Sequence, residues 1–419
     1  VRSFGGVRGS LCNPCPEDIL FLCGIFKKEE QAQLLLKSKG NVQFAANVHQ
    51  WSIINGLEEN LSHPITLLNS LFVGSYPLFH RDLLIKSRKW SHREGVQDKY
   101  VGFVNIKGIK SIWKAISLAR EASKWAGDGT SAKKLLIYSM YSPFLFAAAR
   151  AKRVNPEIQI CLIVTDLPEF MSLGETNSRL FLIGKRIDRC FMDRYLKAVN
   201  TFVLLTRHMT DKLPIGKRPF VVIEGIANEE DAKATAQEAQ AGVVLYTGTL
   251  TKAYGIITLV NAFRMTRNER YRLIICGAGE AEEDISNAMK EDGRISFLGL
   301  IPRDEALQLQ RKATALINPR NSEGEYTKYS FPSKIMEYLL SGRPLIAYKL
   351  PGIPDEYDKY IYYIDGNSPG DMAKVIDRVL SKNERELNAF GADARAFVLK
   401  NKNQMVQTKK ILDLLGEQG

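Results

Sequence analysis

The stretch from Ile317 to Gly342, INPRNSEGEYTKYSFPSKIMEYLLSG, gathers more potential chemistry than any other part of the chain. Apolar strand residues run into Asn318-Pro319-Arg320, a polar loop follows, and Pro332 stands where a helix begins, a position that its fixed φ and missing N–H suit. On that helix Ile335, Tyr338 and Leu339 form the apolar face, while Lys334 and Glu337, three residues apart, share the other. Backbone N–H groups in a first helical turn, here that of Ser333 and Lys334, have no intrahelical partner and lie at the positive end of the dipole, so they attract a phosphate. Lys334 would add a charge beside it, and Glu337 could accept two hydroxyl hydrogen bonds, as a ribose requires. An ordinary solvated Lys-Glu pair has the same spacing.

The elements that must position these residues alternate along the whole chain. Short apolar or β-branched runs are expected as strands near Asp18 to Cys23, Ile65 to Asn69, Lys99 to Val104, Lys134 to Tyr138, Ile158 to Val164 and Thr201 to Leu205, with helices such as Ile112 to Trp125 and Phe144 to Val154 between them. The second half restarts the pattern at Gly242 to Tyr246, with strands at Tyr271 to Cys276, Ile295 to Leu298, Ala315 to Asn318 and Pro344 to Tyr348. This alternation predicts an α/β fold with two doubly wound parallel sheets. The expected division is a leader over 1–16, an N-terminal domain over 17–228, a linker over 229–241, a C-terminal domain over 242–385 and terminal helices over 386–419 that could pack back on the first domain. Ligands of such sheets bind at the carboxyl ends of the strands. There Gly24 could let the chain approach a ligand closely, and Asp166 could orient an acceptor hydroxyl, take its proton or cap a turn.

The length of 419 residues suits two cores, and 45% apolar with 25% charged residues suits a globular protein. No apolar run reaches the roughly 18 residues of a membrane span. The net charge of +12 is uneven: residues 1–228 carry 32 Lys and Arg against 19 Asp and Glu, and the rest 26 against 27. The basic half suits an anionic bilayer surface, a lipid-pyrophosphate acceptor or nucleic acid. Scattered cysteines, three of them in apolar runs, suit buried thiols in a reducing compartment. Cys12 and Cys15 form a lone CxxC, and no His, Cys or carboxylate group has metal-ligand spacing. Trp90-Ser91-His92 follows a basic run and reads as a surface loop or an acceptor contact. GxxxxGK[ST] and GxSxG are absent, which disfavours P-loop nucleotide hydrolysis and serine hydrolysis.

From Leu245 to Lys374, and more loosely over the whole chain, the sequence resembles family 4 of the retaining glycosyltransferases, of the bacterial polysaccharide-biosynthesis type. The resemblance is carried in order by YTGTLTKAYGIITLVNAF, LIICGAGE, ISFLGLIPRDE, FPSKIMEYLLSGRPLIAYKLPGIPDEY and DGNSPGDMAKVI. It implies the GT-B fold, in which two Rossmann-like domains face each other across a cleft. It also implies ribose binding by Glu337, a glycine loop at Gly248 beside a diphosphate, and nucleotide contacts at the turn of Gly277 and Gly279. ICLIVTDLPEF resembles the strand where the family often places a His-Asp pair; here Thr165 stands at the His position and Asp166 keeps the acid. The family's first motif Glu falls on Tyr329, and its diphosphate-binding Arg and Lys fall on Thr249 and Tyr254. Glu325 is the expected substitute for the sugar contact, and Arg320, Lys328 and Lys334, with Lys252 as a weaker option, for the cations.

The resemblance thus implies an enzyme that moves a hexose-type sugar from a UDP- or GDP-sugar to a hydroxyl of a glycan, lipid-linked in the fullest version of the reading, with retained anomeric configuration. It implies no metal or other cofactor. The expected catalytic set is Asp166, Thr165, Glu325 and Lys334. A cytoplasmic protein results, with peripheral membrane contact through the basic half as an option, and no nucleic-acid role. A nucleotide-sugar 2-epimerase of the same fold and a non-catalytic nucleotide-sugar-binding protein are the alternatives.

Overall fold

The fold is that of a computed structural model described over residues 18–39, 42–129, 132–169, 179–228 and 238–416. The expected leader with Cys12 and Cys15, and most of the expected linker, lie outside the described residues.

In chain order the first strands are β1 (Asp18–Cys23), β2 (Thr66–Asn69), β3 (Leu84–Ile85), β4 (Arg88–Trp90), β5 (Asp98–Tyr100), β6 (Phe103–Val104), β7 (Lys133–Tyr138), β8 (Gln159–Val164), β9 (Thr201–Leu204) and β10 (Phe220–Val222). Eight of them form one sheet in the order β10-β9-β8-β7-β1-β2-β5-β4, parallel throughout except for the β4–β5 pair. In β1, Leu20 and Leu22 enter one apolar cluster, and Ile19, Phe21 and Cys23 enter another. Both faces are therefore covered, which is why these strands read as continuous apolar runs rather than as alternating ones.

A second sheet contains β11 (Val243–Thr247), β12 (Arg272–Cys276), β13 (Ile295–Phe297), β14 (Ala315–Asn318), β15 (Leu345–Ala347) and β16 (Ile361–Tyr363). Its order is β13-β12-β11-β14-β15-β16, all parallel. Crossover helices Ile256–Arg264, Glu282–Glu291, Arg303–Lys312 and Ser333–Leu340 join these strands. No helix among the described residues is long and apolar enough to cross a membrane.

Two sequence expectations need correction. The run from Lys99 to Val104 is not one strand: β5 joins the large sheet, whereas β6 pairs with β3 in a separate two-stranded ribbon. Gly102 divides them, because a Cβ there would lie 2.5 Å from Ser87 N and 2.7 Å from Ile85 O. Only glycine lets the chain pass its neighbour so closely.

Nor is Trp90-Ser91-His92 simply a surface loop, although Ser91 is exposed. Trp90 ends β4, and the His92 imidazole is buried between Glu58 Oε1 at 2.7 Å and Asp98 Oδ2 at 2.6 Å. Burial opposes its charge, but the hydrogen bonds that the ring donates to both carboxylates prevail and push it up to about 9. Glu58 also accepts from Ile65 N and Asp98 from Leu67 N, so the cluster ties the edge of the sheet to the helix Phe44–Leu61.

The chain crosses between the domains twice. At the crossing, Lys402 Nζ lies 2.5 Å from Glu224 Oε1 and 2.6 Å from Glu356 Oε1, and Tyr357 donates its hydroxyl to Glu224 at 2.6 Å. After it, the helix Gln404–Gly416 packs on Phe44–Leu61, placing Ile411, Leu414 and Leu415 in the cluster that contains Ile53, Ile54 and Leu57.

Candidate functional site

The carboxyl end of β11 and the helix Arg303–Lys312 meet the helix Ser333–Leu340 through a polar network. The buried Tyr338 hydroxyl donates to Thr247 O at 3.0 Å and accepts from Thr247 N at 2.8 Å. Gln310 Nε2 donates to Thr247 Oγ1 at 2.9 Å and to Glu337 Oε1 at 2.6 Å, and Lys334 Nζ donates to the same Oε1 at 2.7 Å. Burial alone would raise the Glu337 carboxyl. The charge and hydrogen bond of Lys334, the hydrogen bond of Gln310 and the charge of Arg303 outweigh it and hold the group below its ordinary range. Glu337 is thus a pre-positioned carboxylate, with Lys334 half-exposed beside it at a helix start that has no side-chain cap.

Gln310 and Arg303 were not among the residues expected from sequence. A signal for Gln310 was there: it lies three residues after Leu307 on the buried face of Arg303–Lys312, and a glutamine on an apolar stripe needs partners.

The glycine turns fit against each other. Gly248 N donates to Cys276 O and Leu250 N to Ala278 O, each at 3.0 Å. A Cβ on Gly277 would fall 1.8 Å from Gly248 O, and one on Gly279 would fall 2.6 Å from Leu250 O. Close backbone packing of the two loops therefore requires both glycines. Thr249 beside them is exposed, and its carbonyl accepts from Tyr246 at 2.8 Å.

Beyond β14, Arg320 lies between the rings of Tyr254 and Tyr326, at 5.0 and 4.5 Å from their centroids, and donates to Ser330 Oγ at 3.1 Å. Lys328 is exposed, and its carbonyl accepts from Thr206 Oγ1 of the N-terminal domain at 2.7 Å. Tyr329, at the position of the family's first Glu, is 6% exposed and belongs to the apolar cluster of the N-terminal domain with Leu213. Its hydroxyl donates to Glu325 Oε1 at 3.3 Å, and Lys212 of the N-terminal domain pairs with that same oxygen at 2.9 Å. Lys212 is a third residue that sequence reasoning missed, since its partner is 113 positions away. Lys252 pairs with Asp284 at 2.9 Å.

On the facing domain, Gly24 is held away from open space. Its N–H donates to Gln50 Oε1 at 2.8 Å, and a Cβ would fall 2.3 Å from the Phe72 ring. Thr165 and Asp166 follow β8 at its carboxyl end. Asp166 is open to solvent yet walled by protein, so burial pushes its carboxyl up while a hydrogen bond from Thr165 partly offsets the shift. Asp166 in turn raises the buried Tyr138 hydroxyl, after burial itself, and that hydroxyl lies 3.1 Å from His49 Nδ1. Lys334, Glu337, Gln310 and the glycine turns thus form one group, Lys328, Tyr329 and Glu325 line the clasp between domains with Arg320 bonded to Ser330 next to them, and Thr165 with Asp166 stands at the carboxyl end of the N-terminal sheet. Among the described residues no group of three His, Cys, Asp or Glu side chains is arranged to hold a metal.

Residues 227–397 match the family model described as "Glycosyl transferases group 1". No curated protein sequence matches the chain significantly. Solved structures similar to this fold include trehalose-6-phosphate from E. coli bound with UDP-2-fluoro glucose, at 10% identity over 95% of this chain and 99% of that one, with a TM-score of 0.63. HepE from Anabaena in complex with UDP aligns at 15% identity over 96% and 100%, with a TM-score of 0.58. The N-terminal domain of trehalose-6-phosphate phosphatase from Candida albicans aligns at 15% over 99% of both chains, with a TM-score of 0.64. The chain has the GT-B fold of two Rossmann-like domains, and its C-terminal part carries the match to the group 1 glycosyltransferases.

Proposed function

We propose that the protein is a retaining family 4 glycosyltransferase that moves a sugar from a UDP- or GDP-sugar to a hydroxyl of a lipid-linked glycan in cell-surface polysaccharide synthesis. The observation that carries this reading is the Glu337 carboxylate, held by Lys334 and Gln310 at the carboxyl ends of a parallel sheet, within the segment that matches the glycosyltransferase model. Both donors use Oε1, which leaves Oε2 for a ribose hydroxyl. The UDP and UDP-sugar named with two of the similar structures favour uridine as the base.

In this reading the C-terminal domain holds the donor and the basic N-terminal domain holds the acceptor. Lys334 turns from Glu337 to the diphosphate, whose departing charge it stabilises together with Arg320 and the first-turn amides of Ser333 and Lys334. The bond from anomeric carbon to diphosphate oxygen breaks with its electron pair on the phosphate. The acceptor oxygen bonds to the anomeric carbon from the same face, and its proton passes to Asp166, whose raised carboxyl suits a base. No metal is required, and the protein works at the cytoplasmic face of the membrane.

A binding protein without turnover is the second reading, and the burial of Tyr329 where the family keeps a Glu favours it. Thermal unfolding with UDP, GDP, ADP and CMP tests the donor site, because a ligand at 100 times its dissociation constant adds about 2.7 kcal/mol. A shift with UDP or GDP that Glu337→Ala abolishes supports the site. Release of the nucleotide from a UDP- or GDP-sugar supports the enzyme, binding without release supports the second reading, and no shift with any nucleotide sinks the site.

A further inference from the structure

The first turns of the helix Ile109–Gly127 are inside out. Ile112, Trp113 and Ile116 are 65%, 48% and 62% exposed, while Lys114 among them is 1% exposed. Lys114 Nζ donates to Leu71 O at 2.6 Å and lies 4.1 Å from the centre of the Phe103 ring. A helix that packs against a domain and faces water places its charges outward and its isoleucines inward. Here a lysine is enclosed and the apolar groups are turned out.

The same surface continues beyond the helix. Asn105 N donates to Leu83 O, Ile106 bridges to Tyr76, and Lys110 N donates to Ile106 O, so the β3–β6 ribbon and the loop before it adjoin the start of the helix. On that loop Leu78 and Phe79 are 70% and 55% exposed. Of the 21 large apolar side chains exposed among the described residues, 12 fall between positions 35 and 116, which makes a patch rather than a scatter. Exposed cations accompany it at Arg81, Lys86, Lys89 and Lys107, with Arg88 paired to Glu30 and Arg93 to Glu58 beyond them. Between residues 70 and 116 the fully exposed acid is Glu94, and Asp82 is paired with Lys37 at 2.8 Å.

We infer that this face docks on a bilayer containing anionic lipid and inserts Ile112, Trp113 and Ile116 among the acyl chains. Apolar side chains accompanied by basic ones are what an interfacial helix requires, and each cation near the surface adds attraction to anionic headgroups. A second copy of the chain fits worse, since a two-fold axis would bring like cations towards like. The face also lies at the functional end of the sheet: Lys114 bonds the carbonyl of Leu71, two residues past the end of β2. The docked protein therefore presents the Asp166 wall near the membrane. This inference rests on the proposed lipid-linked acceptor for its purpose, but not for its physical grounds.

Flotation of the full chain with vesicles of phosphatidylcholine and phosphatidylglycerol, compared with phosphatidylcholine alone, tests it. Binding is expected to the anionic vesicles, to weaken with salt, and to fall about tenfold in Ile112→Ser/Ile116→Ser. Failure of the wild type to bind, or equal binding by the double variant, overturns the inference. So does a concentration-dependent dimer that the double variant loses, which would assign the face to a second copy. The thermal shift with UDP, measured on the same proteins, keeps the two questions apart: a retained shift without vesicle binding rejects the docking face alone, and vesicle binding without a nucleotide shift rejects the donor site alone.

Discussion

Lys212 of the N-terminal domain and Glu325 of the C-terminal domain are joined at 2.9 Å, Nζ to Oε1, so a side chain proposed to position the donor sugar is held by the opposite wall of the cleft. With Thr206 bonded to the Lys328 carbonyl and Tyr329 seated in the N-terminal core, the segment 325–329 is clasped across the domain boundary.

Lys212→Ala is expected to leave the melting temperature unchanged, because an exposed ion pair contributes little to stability. It should lower kcat for donor turnover by about tenfold through loss of orientation, with little effect on KM for the donor. Steady-state kinetics decides, and an unaltered kcat would remove this pair from the reaction.

Glu337 is expected to link stability to acid. Its folded carboxyl lies below the ordinary Glu range, so its contribution is complete above about pH 4.3 and is lost as pH falls through the lower folded value. Denaturation of the wild type and Glu337→Gln from pH 7 downward should show the gap between them narrowing in acid. A constant gap would contradict the ion pair with Lys334.

The buried His92 works with the opposite sign. Its folded value of about 9 lies above the free value, so the stabilisation is complete below about pH 6.5 and is lost as pH rises through 9. His92→Ala leaves Asp98 buried without its cation and Glu58 with Arg93 alone, and should cost about 3–5 kcal/mol at neutral pH. Urea unfolding across pH 6 to 10 measures both effects, and a wild-type stability flat over that range would rule out a charged imidazole.

Gly277→Ala places a methyl 1.8 Å from Gly248 O. The two loops must separate, at a cost of about 1–3 kcal/mol, and the response to UDP should weaken if the loop amides flank the diphosphate as the family resemblance implies. A variant that melts and binds as the wild type does would mean that these loops are not fixed by their mutual contact.

Much of the architecture was readable in the sequence because parallel strands covered on both faces are unbroken apolar runs: β1, β8 and β14 differ from their expected bounds by one residue or less. The edge strand β4 was missed because Arg-Lys-Trp shows neither alternation nor an apolar run, and the break at Gly102 depends on a crossing with Ile85 to Ser87. Of the candidate site, the Lys334–Glu337 pair was visible because helical spacing is local. Gln310 and Lys212 were not found, since each matters through a partner that folding alone brings near. His92 has partners 34 and six residues away and gave no local sign of being enclosed.

The return of the helix Gln404–Gly416 to Phe44–Leu61 has a consequence for biosynthesis. Gln404 donates to Glu59 at 2.7 Å, Asn60 donates to the Met405 carbonyl at 2.9 Å, and Ile411 is fully enclosed. The N-terminal domain therefore cannot finish its own core until the helix Gln404–Gly416, which begins more than 340 residues after Leu57, has emerged, and until then Ile53, Ile54 and Leu57 await a cover that has not been synthesised. Nascent chains halted before residue 404 should remain prey to chaperones and proteases, however complete their large sheet.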